Sequence, residues 1–94
     1  MRFEWDARKA ASNLREHRVS FPDAVTVFAD PLARIHADPD HSVGEYREII
    51  IGQVANGQLL LVSFVEREDS VRLISARRAT RRERHEYEEA IKQT

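Results

Sequence analysis

The feature that most restricts the fold is a pair of β-rich runs joined by Asn56-Gly57. The runs are YREIIIGQVA at residues 46–55 and QLLLVSFVE at residues 58–66. Asn-Gly between two apolar runs is the strongest short-range signal for a β-hairpin, because both residues tolerate the positive φ angles of a tight turn. The chain is therefore expected to contain an antiparallel sheet built around this hairpin.

A two-residue loop would also fix the register of this hairpin. It pairs Ala55 with Gln58, and it places Arg47 opposite Glu66. Opposite charges that face each other across a strand pair form a salt bridge, so we expect a structural contact between these two side chains. The alternative is that Glu66 acts as a proton acceptor.

Helix caps and apolar spacing predict the remaining elements. The predicted strands are a short edge strand at 2–5, a strand at 32–37, and a strand at 71–77 that follows a tight turn at Glu68-Asp69. The first helix is capped by Asp6 and has the apolar positions Ala7, Ala10, Ala11 and Leu14, and the second is capped by Ser20 and buries Phe21, Ala24, Val25 and Phe28. Thr80 and Glu83 begin a C-terminal helix. The predicted fold is a single α+β domain over residues 1–94. Two N-terminal helices pack on a small antiparallel sheet, and one helix ends the chain.

Both faces of the predicted sheet are apolar in the middle, and the N-terminal helices can cover only one of them. The C-terminal helix offers a weak apolar stripe for the other. The face expected to stay uncovered carries Ile50, Leu59, Leu61, Val65 and Ile74. A partner protein is the simplest cover for such a patch.

The composition excludes several classes of protein. The chain has no cysteine, so disulfides, thiolate metal sites and thiol nucleophiles are excluded, which suits a reducing cytoplasm. No apolar run approaches the roughly 20 residues needed to span a bilayer, and the start MRFEWDARKAASNL lacks a signal-peptide core. We expect a cytoplasmic protein without a membrane partner.

The charge is unevenly distributed although the formal net charge is only −1. The segment from 67 to 84 holds three acids and a larger number of arginines: Arg67, Arg72, Arg77, Arg78, Arg81, Arg82 and Arg84. A guanidinium binds phosphate through two parallel hydrogen bonds, which an ammonium cannot do. The sequence therefore predicts a local phosphate-binding patch.

Arg77 and Arg78 are the best candidates in this patch. They lie where a strand ends just before a helix begins, and backbone N–H groups at a helix start favour an anion. The alternative is a solvated face in which the arginines pair with nearby glutamates. Composition alone favours neither phosphate binding nor a solvated face.

The segment HADPDH holds His36 and His41 beside Asp38 and Asp40, which is compatible with metal ligation or a general base. A structural metal site usually has a second ligand pair at defined spacing, and the sequence has none. We therefore favour a polar loop and predict neither a metal nor a cofactor.

Four motifs occur in order along the chain: FEWD with KAASNLREH.VSF, A.TVFADPLA, DPDHS.GE.R and ISARRATRRER.EYE. In this order they resemble the BrnT toxin family over essentially the whole chain. The resemblance implies a ribonuclease fold similar to that of RelE-type toxins, without metal or cofactor. It also implies a BrnA-like antitoxin with a ribbon-helix-helix domain. The toxin-antitoxin pair would bind operator DNA only through this antitoxin. One departure is Arg18, where the family usually has glycine.

The resemblance suggests roles for individual residues, to which the arginine-rich segment adds Arg81 and Arg82. In RNA cleavage without a metal, the ribose 2′-hydroxyl attacks the adjacent phosphate while cations stabilise the developing charge. For phosphate binding and transition-state stabilisation the candidates are Arg67, Arg77 and Arg78. For proton transfer they are His41, Glu66 and Tyr87. For other contacts with RNA they are Arg47, Arg72, Arg81 and Arg82. The alternatives are a non-catalytic module that binds nucleic acid or protein, and an interaction subunit without a nucleic-acid role.

Overall fold

The computed structural model describes residues 1–41 and 44–93, and its elements follow the predicted order. The strands are β1 Arg2–Glu4, β2 Arg34–Ala37, β3 Glu48–Gln53, β4 Leu59–Arg67 and β5 Ser70–Arg78. The helices are α1 Ala7–His17, α2 Phe21–Val25, which continues as a 3-10 turn at Thr26–Ala29, and α3 Arg81–Lys92; a second 3-10 turn is Pro39–His41. The α+β class is confirmed. Part of the polar loop expected before β3, at residues 42 and 43, lies outside the described residues.

The five strands form one mixed sheet in the order β1-β5-β4-β3-β2. Strand β1 runs parallel to β5, with Phe3 opposite Val71, so the prediction of a purely antiparallel sheet is wrong at this edge. The two strands lie far apart in the sequence, and no local pattern specifies the direction in which such segments pair. Helix α1 follows β1 and packs on β5.

The loop of the β3–β4 hairpin has three residues instead of the predicted two. Gln53 pairs with Leu59, and the Val54 N–H donates to the carbonyl of Gln58. Gly57 has φ +92°, which fits the common hairpin loop that ends in a left-handed residue. Asn-Gly is compatible with a loop of two residues and with one of three. It therefore predicted the hairpin but not the length of the loop.

This additional loop residue shifts the register by one position. Continuing the observed pairing places Arg47 opposite Val65, while Glu66 pairs with Val71 on β5. The predicted cross-strand pair of Arg47 and Glu66 is therefore wrong. A one-residue slip moves a side chain to the other face of the sheet, so the predicted faces of β3 and β4 also change relative to each other.

The β4–β5 hairpin has the predicted two-residue turn, because Arg67 pairs with Ser70. The same register continues to Phe64 opposite Leu73 and then shifts, so that Ser63 lies opposite Ser75. Ile74 is thus an additional residue on β5, which makes a β-bulge. Bulges bend a strand and change which side chains face a site.

The main core lies between the sheet and the first two helices. Its largest fully buried side chains are Phe21, Leu60, Leu73, Val27, Val62 and Val71. The caps predicted for these two helices form, since Asp6 accepts from the backbone N–H groups of residues 8 and 9 and Ser20 accepts from that of residue 23. The predicted second-helix stripe is buried or half-buried.

The predicted apolar stripe of α1 is wrong except at Ala10, which packs against the main core. Leu14 is 52% exposed, and Ala7 and Ala11 are also exposed. The buried residue of α1 is Asn13. Its amide donates to the carbonyls of Val19 and Ala76 at 3.0 and 2.8 Å and accepts from the Ala76 N–H at 3.0 Å. Strand β1 pairs only with the first residues of β5. The Asn13 amide therefore forms with the backbone of Ala76 the hydrogen bonds that a longer β1 would form there.

The predicted uncovered patch does not exist as one surface. Ile50 belongs to the main core, because the register shift turns it toward the first two helices. Leu59 lies on the other face and packs with Ile51 beneath Tyr87 of α3, and Val65 is buried. Helix α3 therefore covers one end of the second face. We call the rest of that face, together with Ile51 at its border with α3, the open face.

Candidate functional site

The register of the sheet determines which side chains share the open face. Three rows cross it from β5 toward β2: first Arg77, Leu61, Ile51 and Arg34; second Ser75, Ser63, Ile49 and His36; third Arg72, Val65 and, by continuation, Arg47. The middle of the face is apolar and hydroxylic. Cationic or imidazole side chains lie at its margins, which is an arrangement suited to an anionic ligand with apolar parts.

Three of the predicted site residues converge on one cleft of the open face. The cleft has a volume of about 230 Å³, and its lining includes His41, Arg47 and Arg77 beside the hydroxyl-bearing residues Ser63 and Ser75. We call it the cationic cleft. Its two guanidinium groups come from β5 and from the segment just before β3, so the folded sheet is needed to bring them together.

Asp38 orients the imidazole at the mouth of the cationic cleft. The His41 Nδ1 atom lies 3.1 Å from Asp38 Oδ1, and the side chains are 68% and 12% exposed, respectively. A carboxylate on Nδ1 fixes the tautomer of a histidine and leaves Nε2 as the atom for proton transfer. The HADPDH segment, in which we favoured a polar loop over a metal site and named His41 as a candidate for proton transfer, thus supplies an oriented imidazole.

Arg77 is held by Glu83 from the first turn of α3. Its Nη1 and Nη2 atoms donate to the two carboxylate oxygens at 2.8 and 2.9 Å. The hydrogen bond from Arg77, together with those from Thr80, lowers the pKa of Glu83 to about 2 against the effect of burial. The same hydrogen bond raises the pKa of Arg77. This pairing is the one expected for a solvated arginine face, yet Arg77 also lines the cleft.

Arg67 and Arg72 lie at the β1 end of the open face. Arg67 is 3.2 Å from a carboxylate oxygen of Glu45 and 3.8 Å from one of Glu4, while Arg72 is 3.9 Å from the same Glu4 oxygen. These partly exposed pairs are weak. A phosphate can compete for both arginines at low cost.

The other predicted arginines and Glu66 are not brought to the cationic cleft. Arg78 pairs with Leu60 and Glu66 with Val71, both core residues, so their side chains belong to the opposite face. The guanidinium of Arg78 lies 2.8 Å from the side-chain amide of Gln58. Arg81 and Arg82 are exposed in the first turn of α3, and Arg82 pairs with Glu86 at 3.3 Å.

Tyr87 points into the fold and donates its hydroxyl to Asp30 Oδ2 at 2.7 Å. Burial and the Asp30 carboxylate raise the pKa of Tyr87 to about 12. Asp30 also accepts from the backbone N–H groups of Gln53 and Leu32. Burial opposes the charge on Asp30, but these three hydrogen bonds outweigh it and lower the pKa of the carboxyl group.

Sequence reasoning missed Asp30, which directly follows the 3-10 turn at Thr26–Ala29. The carboxylate lies so close to β3 that a Cβ atom at Gly52 would stand 2.9 Å from Asp30 Oδ2. A glycine inside a strand marks such a close approach, so Gly52 was the available signal. It did not identify the approaching group.

A second cleft continues from the cationic cleft beneath α3, and we call it the apolar cleft. It has a volume of about 350 Å³ and is lined by Arg34, His36, Ile49, Ile51, Leu61, Glu83, Glu86, Tyr87 and Ala90. Ile49 and Leu61 line both clefts. Within residues 1–41 and 44–93, no group of three or more His, Cys, Asp or Glu residues is placed to hold a metal ion.

The fold and the site define an α+β domain whose open sheet face, with its arginines and oriented imidazole, is suited to an anionic ligand. The family model described as ribonuclease toxin, BrnT, of type II toxin-antitoxin system matches residues 5–83. The chain belongs to this BrnT family, so its partner is an antitoxin. No curated protein matches it by sequence.

The fold is similar to that of a solved family member. The 1.1 Å crystal structure of the Brucella abortus ribonuclease toxin, BrnT, superposes with a TM-score of 0.68 over 86% of this chain and 99% of that chain, at 21% identity. At 21% identity the superposition shows that the two proteins share an architecture. It assigns no role to individual residues of this chain. In the part of the chain that the structure describes, no helix is long and apolar enough to cross a membrane.

Proposed function

We propose that this chain is an endoribonuclease that cuts RNA at the cationic cleft without a metal ion. The observation that carries the proposal is the convergence of His41, Arg47 and Arg77 on that cleft. These are an imidazole that can move a proton and two guanidinium groups that can bind a phosphate. The family's description as ribonuclease toxins supports the same activity.

In the proposed reaction, the ribose 2′-oxygen attacks the adjacent phosphorus and the bond from phosphorus to the 5′-oxygen breaks. The products are a 2′,3′-cyclic phosphate and a 5′-hydroxyl. His41 accepts the proton of the 2′-hydroxyl, and its imidazolium returns a proton to the 5′-oxygen. Arg47 and Arg77 stabilise the negative charge on the non-bridging oxygens, and placement of the 2′-oxygen in line removes much of the barrier.

The other predicted residues take different roles in this proposal. Arg67 and Arg72 guide the flanking phosphates along the open face. Arg81 and Arg82 extend the basic surface beside it. Glu66, Arg78 and Tyr87 remain predictions as catalytic residues, and their side chains do not line the cationic cleft.

Incubation of labelled single-stranded RNA with the purified protein in excess EDTA tests the activity. We expect cleavage with cyclic-phosphate ends, a loss of about a hundredfold or more for Arg77→Ala, and a smaller loss for Arg78→Ala on the opposite face. Thermal unfolding of each variant confirms that it is folded. A requirement for a divalent ion, or equal rates for wild type and Arg77→Ala, would contradict the proposal.

We also propose that the antitoxin has a ribbon-helix-helix domain, which binds operator DNA for the pair, and that it covers the open face with acidic side chains. Arg72 lies on that face, whereas Arg8 is exposed on α1 on the other side of the sheet. Arg72→Glu should therefore weaken the complex more than Arg8→Glu, and the difference should narrow at high salt. Equal affinities by calorimetry at low salt would place the antitoxin elsewhere.

A further inference from the structure

We propose that the apolar cleft binds one unpaired nucleobase of the RNA whose phosphate occupies the cationic cleft, and that it prefers cytosine to uracil. This inference rests on the proposed ribonuclease function and adds a recognition site to it. Its basis is the contact between the two clefts and the chemical character of the residues that line the second one.

The apolar cleft has the size and lining of a site for a small planar group. Its volume of about 350 Å³ falls in the usual range of about 300–1,000 Å³ for ligand pockets. Ile49, Ile51 and Leu61 supply an apolar floor. Arg34 and His36 border it from the edge strand β2, and planar cationic or imidazole groups stack well on bases.

The position of the apolar cleft relative to the cationic cleft fits one nucleotide. Arg77 on β5 and Ile51 on β3, which lines the apolar cleft, lie in one row of the sheet and are separated by two strand spacings, which is about 10 Å. A nucleotide with its phosphate at Arg77 therefore reaches the apolar cleft with its base. Proteins that recognise bases of RNA bind them unstacked and unpaired, so we infer that the nucleotide in the apolar cleft is unpaired.

The preference for cytosine follows from carboxylates at the rim. Glu86 and Glu83 line the cleft from α3, and ionised carboxylates only accept hydrogen bonds. Glu83 is already occupied by Arg77 and Thr80, whereas among the residues that the structure describes Glu86 Oε1 accepts one bond, from Arg82. Glu86 can therefore accept from the amino group of cytosine, whereas the O4 oxygen of uracil would face a negative charge.

Binding of non-cleavable RNA tests the inference independently of the reaction. The probes are 2′-O-methyl hexamers of cytidine and of uridine, and an abasic hexamer with the same phosphates, measured by fluorescence anisotropy at about 0.1 M salt. We expect the cytidine hexamer to bind about fivefold to tenfold more tightly than the uridine hexamer, and both to bind more tightly than the abasic one. Glu86→Gln should abolish the difference between cytidine and uridine, because an amide can also donate.

Ala90→Leu fills the apolar cleft and should reduce the affinity for the cytidine hexamer to that for the abasic hexamer, with the abasic affinity unchanged. Ala11→Leu, at an exposed position of α1, is the matched control. If Ala90→Leu does not fold, His36→Ala on the edge strand replaces it and should weaken base binding by about fivefold, the lower limit for loss of one stacking partner.

Equal affinity for all three hexamers, or no binding to any, would overturn the inference. A base-independent affinity combined with weaker antitoxin binding by Ala90→Leu would identify the cleft as a protein contact instead. The cleavage assay in EDTA judges the proposed function separately, because RNA that is cut without any effect of the base leaves the ribonuclease intact and removes only this site.

Discussion

Arg77 and Glu83 form a two-point ion pair that joins the end of β5 to the first turn of α3. Both carboxylate oxygens of Glu83 accept from Arg77, and one of them also accepts from the Thr80 N–H at 2.8 Å. One carboxylate therefore completes the cap of α3 and fixes the guanidinium at the edge of the cationic cleft. The stability of the helix start and the geometry of the site depend on the same group.

Acid should weaken this pair and the fold together. The pKa of Glu83 lies near 2 in the folded protein and near 4.5 when unperturbed, so its stabilisation is present above pH 4.5 and is lost as the pH falls toward 2. Allowing for solvent screening at the partly exposed Arg77, we expect this group to contribute about 1–2 kcal/mol. Urea unfolding from pH 6 to pH 2 should show the loss in wild type.

Glu83→Gln should lower the free energy of unfolding at pH 6 and flatten its decline in acid. Glu88→Gln is the matched control, because Glu88 is exposed on the same helix and forms no ion pair within the described residues. Identical acid profiles for wild type and Glu83→Gln would show that the ion pair does not stabilise the domain.

Tyr87→Phe should affect stability more than catalysis. The variant removes the hydrogen bond to the partly buried carboxylate of Asp30, which should cost about 1–3 kcal/mol as a bond to a charged group. The wild-type bond should weaken only as the pH rises above 10 toward the folded pKa of about 12, because the phenol must stay protonated to donate. At neutral pH, we expect the RNA cleavage rate of the folded variant to stay within about threefold of wild type, since a group used in proton transfer would cost about a hundredfold or more.

Tyr46→Phe provides the control for this prediction, because Tyr46 is 63% exposed and its change should leave the unfolding free energy unaltered. A hundredfold loss of cleavage in folded Tyr87→Phe would instead make Tyr87 a proton-transfer group, as the family resemblance suggested.

Asn13→Ala should be among the most destabilising substitutions in α1. The change leaves the backbone N–H and carbonyl of Ala76 buried without their partner, which should lower the free energy of unfolding by about 2–4 kcal/mol. Glu16→Ala at an exposed position of the same helix should change it by less than about 0.5 kcal/mol. Chemical denaturation of both variants measures the difference, and equal midpoints would mean that Asn13 does not hold α1 on β5.

Arg18→Gly should stabilise the protein. Arg18 ends α1 in the left-handed conformation with φ +57°, which is costly for a residue with a Cβ atom and free of that cost for glycine. Glycine also has a greater entropy in the unfolded chain, which opposes this effect. We expect the free energy of unfolding to rise by about 0.5–1 kcal/mol in total. Arg15→Gly, inside the helix, should lower the free energy of unfolding by about 1 kcal/mol. Calorimetric melting compares them, and a lower melting temperature for Arg18→Gly would contradict this account.

Part of the candidate site was predictable from local chemistry. The run of arginines predicted a phosphate-binding surface, and Arg77 and His41 were named before the fold was known. Arg34 was not considered, because one arginine on a short edge strand carries no local signal. Its relevance depends on β2 lying beside β3, which turns it toward the same face as Arg77.

The sequence by itself determined the order of the elements, the helix caps and the presence of both hairpins, because these depend on residues that are neighbours in the chain. Thr80 and Glu83, for example, form the predicted capping box. The tertiary structure alone decided the three-residue loop at Gly57, the parallel pairing of β1 and the burial of Asn13. Each of these depends on contacts between distant segments, where several local solutions have nearly equal energy and the packing of the whole core selects one.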